Sequence, residues 1–286
     1  AGVSFYDVRT TLAQEDPSAD EATLANNTRK LVIDRGAGPY RVLYVCGRPN
    51  WDFKFLRRAM EEDDQIELVG LIRISNREPR FTFRRRGDRG ANQLFDGFEH
   101  EDEETAEQYD EPVLARLGTR DEEELRDGFP KTTDELYQYD AIVLDDLGTD
   151  FFSQDQMSLV EKFVSRRGGG FLMLSGASSF AEGEYQRTPI GNLLPIYLDR
   201  TGVATPTATQ EYRLALTREG WLQPWVRLRQ TEAEDRQRLA AMPAFRVLNN
   251  VGHLKPGATE LAQVIDQTGG ERPALVAQRY GRGRSA

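Results

Sequence analysis

Two phrases decide the fold: Tyr139-Asp140-Ala141-Ile142-Val143-Leu144-Asp145-Asp146, and Gly168-Gly169-Gly170-Phe171-Leu172-Met173-Leu174-Ser175. Each holds a short, continuous apolar run, which is the pattern of a strand buried on both faces rather than of one with a wet side. Between them Ser153 stands where a helix N-cap is needed, and Gln154 to Arg167 reads as a helix that Gly168 can end. Strand, helix and strand in that order predict a right-handed crossover inside a parallel sheet.

The same unit repeats upstream. Arg41-Val42-Leu43-Tyr44-Val45-Cys46 is an apolar strand, Gly47-Arg48-Pro49 a turn, Asn50 a cap for a helix through Trp51 to Met60, and Ile66 to Ile72 a second strand. Residues 73–138 break the rhythm with Arg84-Arg85-Arg86, an acidic run from Glu99 to Glu107 that includes His100, and short helical pieces near Asp121–Arg126 and Thr132–Gln138. They read as an insertion at the sheet edge. Downstream, strands are expected at 211–217, 245–248, 258–264 and 273–279, with a polar helix near 231–241. At the other end, residues 3–12 and 28–34 have strand character around a polar, acidic stretch, which predicts a β-hairpin ahead of Gly36-Ala37-Gly38-Pro39. The division expected is therefore 1–36 as hairpin and 37–286 as the α/β domain.

Composition narrows the classes of function. The 286 residues carry 37 Lys and Arg against 47 Asp and Glu, a net charge of -10, which disfavours general binding to nucleic acid. The single cysteine, Cys46, rules out an internal disulfide framework and any zinc site built from several thiolates. No apolar run reaches the length of a membrane span, and residues 1–30 lack the order of a signal peptide. The stretch is expected to be soluble by itself, to be cut from a longer protein at both ends, and to need no metal or cofactor.

The strand ending in Asp145-Asp146, the following helix, Gly168-Gly169-Gly170 and the small-residue turn after Leu174 together resemble the elbow region of class I glutamine amidotransferases. Gly47-Arg48-Pro49-Asn50-Trp51, Ser179-Phe180-Ala181-Glu182-Gly183-Glu184-Tyr185 and Thr188-Pro189-Ile190 are similar to one branch of that family. That branch is carried by large bacterial membrane proteins, often beside a von Willebrand factor A domain, and the resemblance covers roughly residues 37–286. It implies a flavodoxin-like, three-layer α/β sandwich with a mainly parallel sheet. The N-terminal hairpin resembles the last two strands of immunoglobulin-like sandwiches of bacterial surface proteins; packing on the main domain is the alternative.

Active members of the family place a Cys at the elbow and activate it with a His-x-Glu pair. Here the elbow reads Ser175-Gly176-Ala177, Cys46 ends a different strand, where it reads as a small buried hydrophobe, and His253 has no acid two positions on. The expected function is thus a non-catalytic binding or scaffolding domain of a larger, membrane-anchored bacterial protein, on a side of the membrane left open. Its partner would be another protein or a neighbouring domain. The alternative is an amidohydrolase or transferase using Ser175 with His253.

Ligands of open parallel sheets lie beyond the carboxyl ends of the strands. The binding residues expected there are Arg48, Asn50, Trp51, Asp145, Asp146, Ser175, Gly176, Ala177, Ser178 and Ser179, and a small anion is the expected guest. Arg48 and the helix N-terminus at Trp51 favour an anion; the competing reading is that Asn50 only caps and Trp51 only packs. Asp145 and Asp146 admit a metal or acid-base role, or a turn cap, or plain solvation.

Overall fold

The computed structural model describes residues 2–10, 27–35, 38–75, 113–198, 211–249, 251 and 253–286. His100, the basic cluster at 84–86 and the acidic run at 99–107 lie outside these residues. The N-terminal expectation holds in form: β1 (Gly2–Arg9) and β2 (Thr28–Arg35) pair antiparallel as a two-stranded sheet of their own. Both sides of this hairpin expose apolar side chains, among them Phe5, Tyr6, Leu31 and Val32.

The rest is mixed α/β around one nine-stranded sheet. Its centre is built by β3 (Tyr40–Cys46), β4 (Ile66–Ser75), β6 (Ala141–Asp145) and β7 (Gly170–Leu174), all mutually parallel, in the order β4-β3-β6-β7. The short β11 (Gly283–Ser285) extends that parallel set beside β7. Then β10 (Glu271–Tyr280), β9 (Thr259–Ile265) and β8 (Arg213–Leu216) follow antiparallel, while β5 (Val113–Leu117) closes the opposite edge antiparallel to β4. The sheet is therefore mixed, with a parallel centre, where a mainly parallel one was expected.

Three expectations need correction. The stretch 245–248 forms only an isolated bridge, Tyr212 to Phe245, because Phe245 and Val247 remain exposed and gain little by pairing further. Residues 283–285, beyond the last strand expected at 273–279, form a strand of their own, since the turn at Gly281 folds them back onto β10 and against β7. The region 73–138 is more than an edge insertion. Its last part supplies β5 and buries Leu125, Phe129 and Leu136 in the main core. Arg41, almost fully buried, ties it down through Glu124 at 2.8 Å and Glu67 at 3.0 Å, and the Tyr139 hydroxyl donates to Glu124 at 2.5 Å. Burial alone would raise the Glu124 pKa, but the bonds from Tyr139, the Arg120 amide and Arg41 outweigh it and hold it low.

Helices cover the two sheet faces unequally. On one face Leu43, Val45, Leu71, Ile142, Leu144 and Phe171 pack under α2 (Thr133–Leu136), α3 (Gln154–Lys162) and α4 (Pro189–Leu193). Each such fully buried side chain contributes roughly 1.5–3 kcal/mol relative to exposure. Thr132 and Ser153 start the first two helices with capping boxes, and a π-turn, Phe163–Arg167, runs on from α3 to the left-handed Gly168. On the other face Tyr44, Cys46, Ile72 and Val143 are covered by α1 (Trp51–Met60) through Phe53 and Leu56, and Leu172 and Leu174 stay half-buried. Two further helices, α5 (Arg218–Trp221) and α6 (Glu232–Ala240), sit against β9 and β8.

Candidate functional site

At the carboxyl ends of β3, β6 and β7 the structure gathers most of the residues that the sequence singled out. Asn50 does cap α1: its Oδ1 accepts from the Phe53 amide at 3.0 Å. Its Nδ2 donates to Asp145 and, more weakly, to the Cys46 sulfur. Asp145 is 2% exposed and also accepts from the Tyr44 hydroxyl at 2.5 Å. The carboxylate that was expected to cap a turn or face solvent is thus an internal tie between two strands and a helix cap. Tyr44 is held protonated, its pKa raised by burial first and by Asp145 second.

Cys46 fits its reading as a small buried group. It is fully buried, its thiol faces the Arg48 carbonyl and Asp145, and burial pushes its pKa up to about 12. A thiol so placed stays protonated at neutral pH and is a poor nucleophile.

Asp146 takes a left-handed backbone, φ 47°, which turns its side chain across the crevice. One oxygen accepts from the Ser178 amide at 2.8 Å and the other pairs with the Arg48 guanidinium at 2.5 Å. The approach demands glycine on both sides. A Cβ on Gly47 would lie 1.8 Å from the Asp146 carbonyl oxygen, and one on Gly176 would lie 2.3 Å from its carboxylate. Gly176 is closed from the other direction by Asn249, which accepts from its amide at 3.2 Å and donates to its carbonyl at 2.8 Å. Ser179 is buried and donates to the Leu174 carbonyl at 2.8 Å, so it fastens the turn rather than facing the crevice.

Three residues fall outside this lock. Trp51 is 67% exposed and stacks on Phe55, with Lys54 over its ring, so it neither packs in the core nor fills the crevice. Ala177 is exposed at the tip of the turn. Ser175 is exposed too, and it shares with His253 the lining of a neighbouring cavity of about 640 Å³. Among the described residues no hydrogen bond joins Ser175 to His253, whose own carbonyl accepts from Tyr197 at 2.8 Å. Of the aromatic side chains near the crevice, Tyr185 is fully buried with its hydroxyl on the Leu147 carbonyl, and Phe180 lines the cavity.

Among the described residues no group of three or more His, Cys, Asp or Glu is placed to hold a metal ion, and no helix is long and apolar enough to cross a membrane.

Sequence reasoning passed over Asn249 and the segment Pro224-Trp225-Val226-Arg227-Leu228-Arg229-Gln230. The alternation of apolar and basic residues in the latter is a signal that could have found it. Comparison with protein-family models finds none that matches the chain, and no curated protein matches it.

Proposed function

We propose that the chain is a non-catalytic binding or scaffolding domain, similar in plan to class I glutamine amidotransferases with a flavodoxin-like sandwich, within a larger membrane-anchored bacterial protein. One observation carries the reading: at the strand ends Asp145 engages Asn50 and Tyr44, Asp146 engages Arg48 and the Ser178 amide, Asn249 engages Gly176, and the thiol beside them is buried with its pKa pushed up. Acyl transfer needs a nucleophile in contact with a base and free donors for the developing oxyanion. Here the polar groups serve as ties between elements. A small anion in this crevice would compete with Asp146 for Arg48, so the favoured partner is a protein surface or a neighbouring domain. The hairpin β1–β2, with apolar side chains on both of its faces, supports such a neighbour and fits the edge of an immunoglobulin-like sandwich.

The test is ammonia release from L-glutamine by the purified chain, beside Cys46→Ala and Ser175→Ala. Background rates in all three are expected. Turnover by the unaltered chain that either substitution abolishes would overturn the reading.

A hydrolase or transferase using Ser175 is the second reading, favoured by the single cavity that Ser175 and His253 both line. Hydrolysis of a short-chain p-nitrophenyl ester, lost in both Ser175→Ala and His253→Ala, would establish it.

A further inference from the structure

Beyond the strand-end lock, two hollows among the described residues meet at one segment. The first, about 640 Å³, lies against β8, β9 and β10 and is predominantly apolar, with Leu214, Val264, Val276, Trp225, Phe245 and Val247 in its wall. The second, about 950 Å³ and shallower, lies between residues 224–230 and α6, and its wall holds Arg227, Arg229, Gln230, Gln237 and Arg238. The segment 224–230 is the partition. Trp225 and Val226 face the apolar hollow, Arg227 and Arg229 the cationic one, and Leu228 lines both.

The partition is fixed in place. Buried Asp235 of α6 accepts from the Leu228 amide at 3.0 Å, and Arg227 donates through Nε to the Trp221 carbonyl at 2.6 Å while its guanidinium lies over the Trp221 ring. The three arginines have no carboxylate partner among the described residues. The carboxylate that shares their hollow, Glu234, takes the Thr231 hydroxyl at 2.8 Å. Arg229 donates to the Leu228 carbonyl at 2.9 Å, so it and Arg227 are held by backbone oxygens and a ring rather than by acids, and three guanidiniums against the one carboxylate of Glu234 leave the wall of this hollow net positive in a chain of net charge -10. The adjoining apolar hollow is of the size that small ligands occupy, and its exposed Trp225, Phe245 and Val247 would lose water contact on filling.

We propose that the two hollows form one site for a single-chain anionic amphiphile, its phosphate or carboxylate head among Arg227, Arg229 and Arg238 and its alkyl chain past Leu228 in the apolar hollow. Arginine suits the head because its planar fork can give two parallel hydrogen bonds to a phosphate or carboxylate. The proposal stands apart from the lock at the strand ends, since Arg48, Asn50, Asp145 and Asp146 line neither hollow, while Ser175 and His253 share the wall of the apolar one.

Calorimetric titration with octyl phosphate below its micelle concentration tests it, beside inorganic phosphate, 1-octanol and hexyl phosphate. Octyl phosphate is expected to bind once per chain, at least tenfold more tightly than either 1-octanol or inorganic phosphate. Hexyl phosphate should be weaker by roughly tenfold, because two buried methylenes are lost. Arg229→Glu with Arg238→Glu, both at exposed positions, should erase the preference for octyl phosphate over 1-octanol and leave the 1-octanol affinity unchanged. Trp225→Ala, also at an exposed position, should weaken both. Equal affinity for octyl phosphate and 1-octanol in the unaltered chain, or a preference that survives the double charge reversal, would overturn the proposal. So would inorganic phosphate binding as tightly as octyl phosphate, or binding to anionic vesicles with none to monomeric octyl phosphate.

Discussion

The crevice at the ends of β3, β6 and β7 and the paired hollows around residues 224–230 are built on opposite principles. In the crevice polar groups are numerous but mutually satisfied: Asp145 holds Tyr44 and Asn50, while Asp146 holds Arg48 and the Ser178 amide. Around 224–230 three guanidiniums lack carboxylate partners among the described residues, and several apolar side chains keep contact with water. Position in the sheet made the crevice the expected ligand site. Accounting for each donor and acceptor moves that expectation, because a saturated polar cluster stabilises the fold and an unsaturated one has free energy left for a ligand.

Substitutions should separate the two regions sharply. The largest loss is expected for Asp145→Ala, which strands a buried tyrosine hydroxyl and frees the Asn50 amide; it should lower unfolding free energy by roughly 3 kcal/mol, read from urea denaturation. Gly176→Ala should cost about 2 kcal/mol, because its Cβ would press on the Asp146 carboxylate. A stability equal to that of the unaltered chain in either variant would mean that the crevice is looser than its hydrogen bonds imply.

Acid sensitivity gives a smaller effect on the same core. Glu124 has a folded pKa below its ordinary 4.5, so its contribution is fully present above that value and is lost as pH falls through the lower folded one. The urea midpoint should therefore fall more steeply below about pH 4.5 in the unaltered chain than in Glu124→Gln. Identical slopes would remove Glu124 from the account. The smallest effect belongs to the open region, where Arg229→Glu with Arg238→Glu should change stability by no more than about 0.5 kcal/mol. A larger loss would show that these arginines support the fold.

The same contrast explains what the sequence could and could not disclose. The centre of the sheet was legible because β3, β4, β6 and β7 are apolar runs set between capped helices, and Asn50, Thr132 and Ser153 are caps in fact. The small strand β11 was not, since Gly283-Arg284-Ser285 has no apolar pattern and owes its pairing to the turn at Gly281 and the edge of β7. The stretch 245–248 misled in the opposite sense, having strand composition without a partner beyond one bridge.

At the crevice the residue set was readable from strand ends, yet its state was not. Nothing in an Asp-Asp pair announces that the second takes a left-handed backbone and turns onto Arg48. Arg227 and Arg229 alternate with apolar residues in a short segment whose signal is brief, and only the fold brings Arg238 of α6 to the same hollow.

The most direct test of the contrast is an amide chemical-shift map of the isotope-labelled chain, titrated separately with octyl phosphate and with L-glutamate. The account predicts saturable shifts with octyl phosphate at Trp225 to Gln230 and along Glu234 to Arg238. No shifts are expected with either compound at Cys46 to Asn50 or at Asp145 and Asp146, and none with L-glutamate at Gly176 to Ser178, whose neighbours Ser175 and Asn249 line the apolar hollow. Saturable shifts in the crevice with a silent 224–238 region would contradict it.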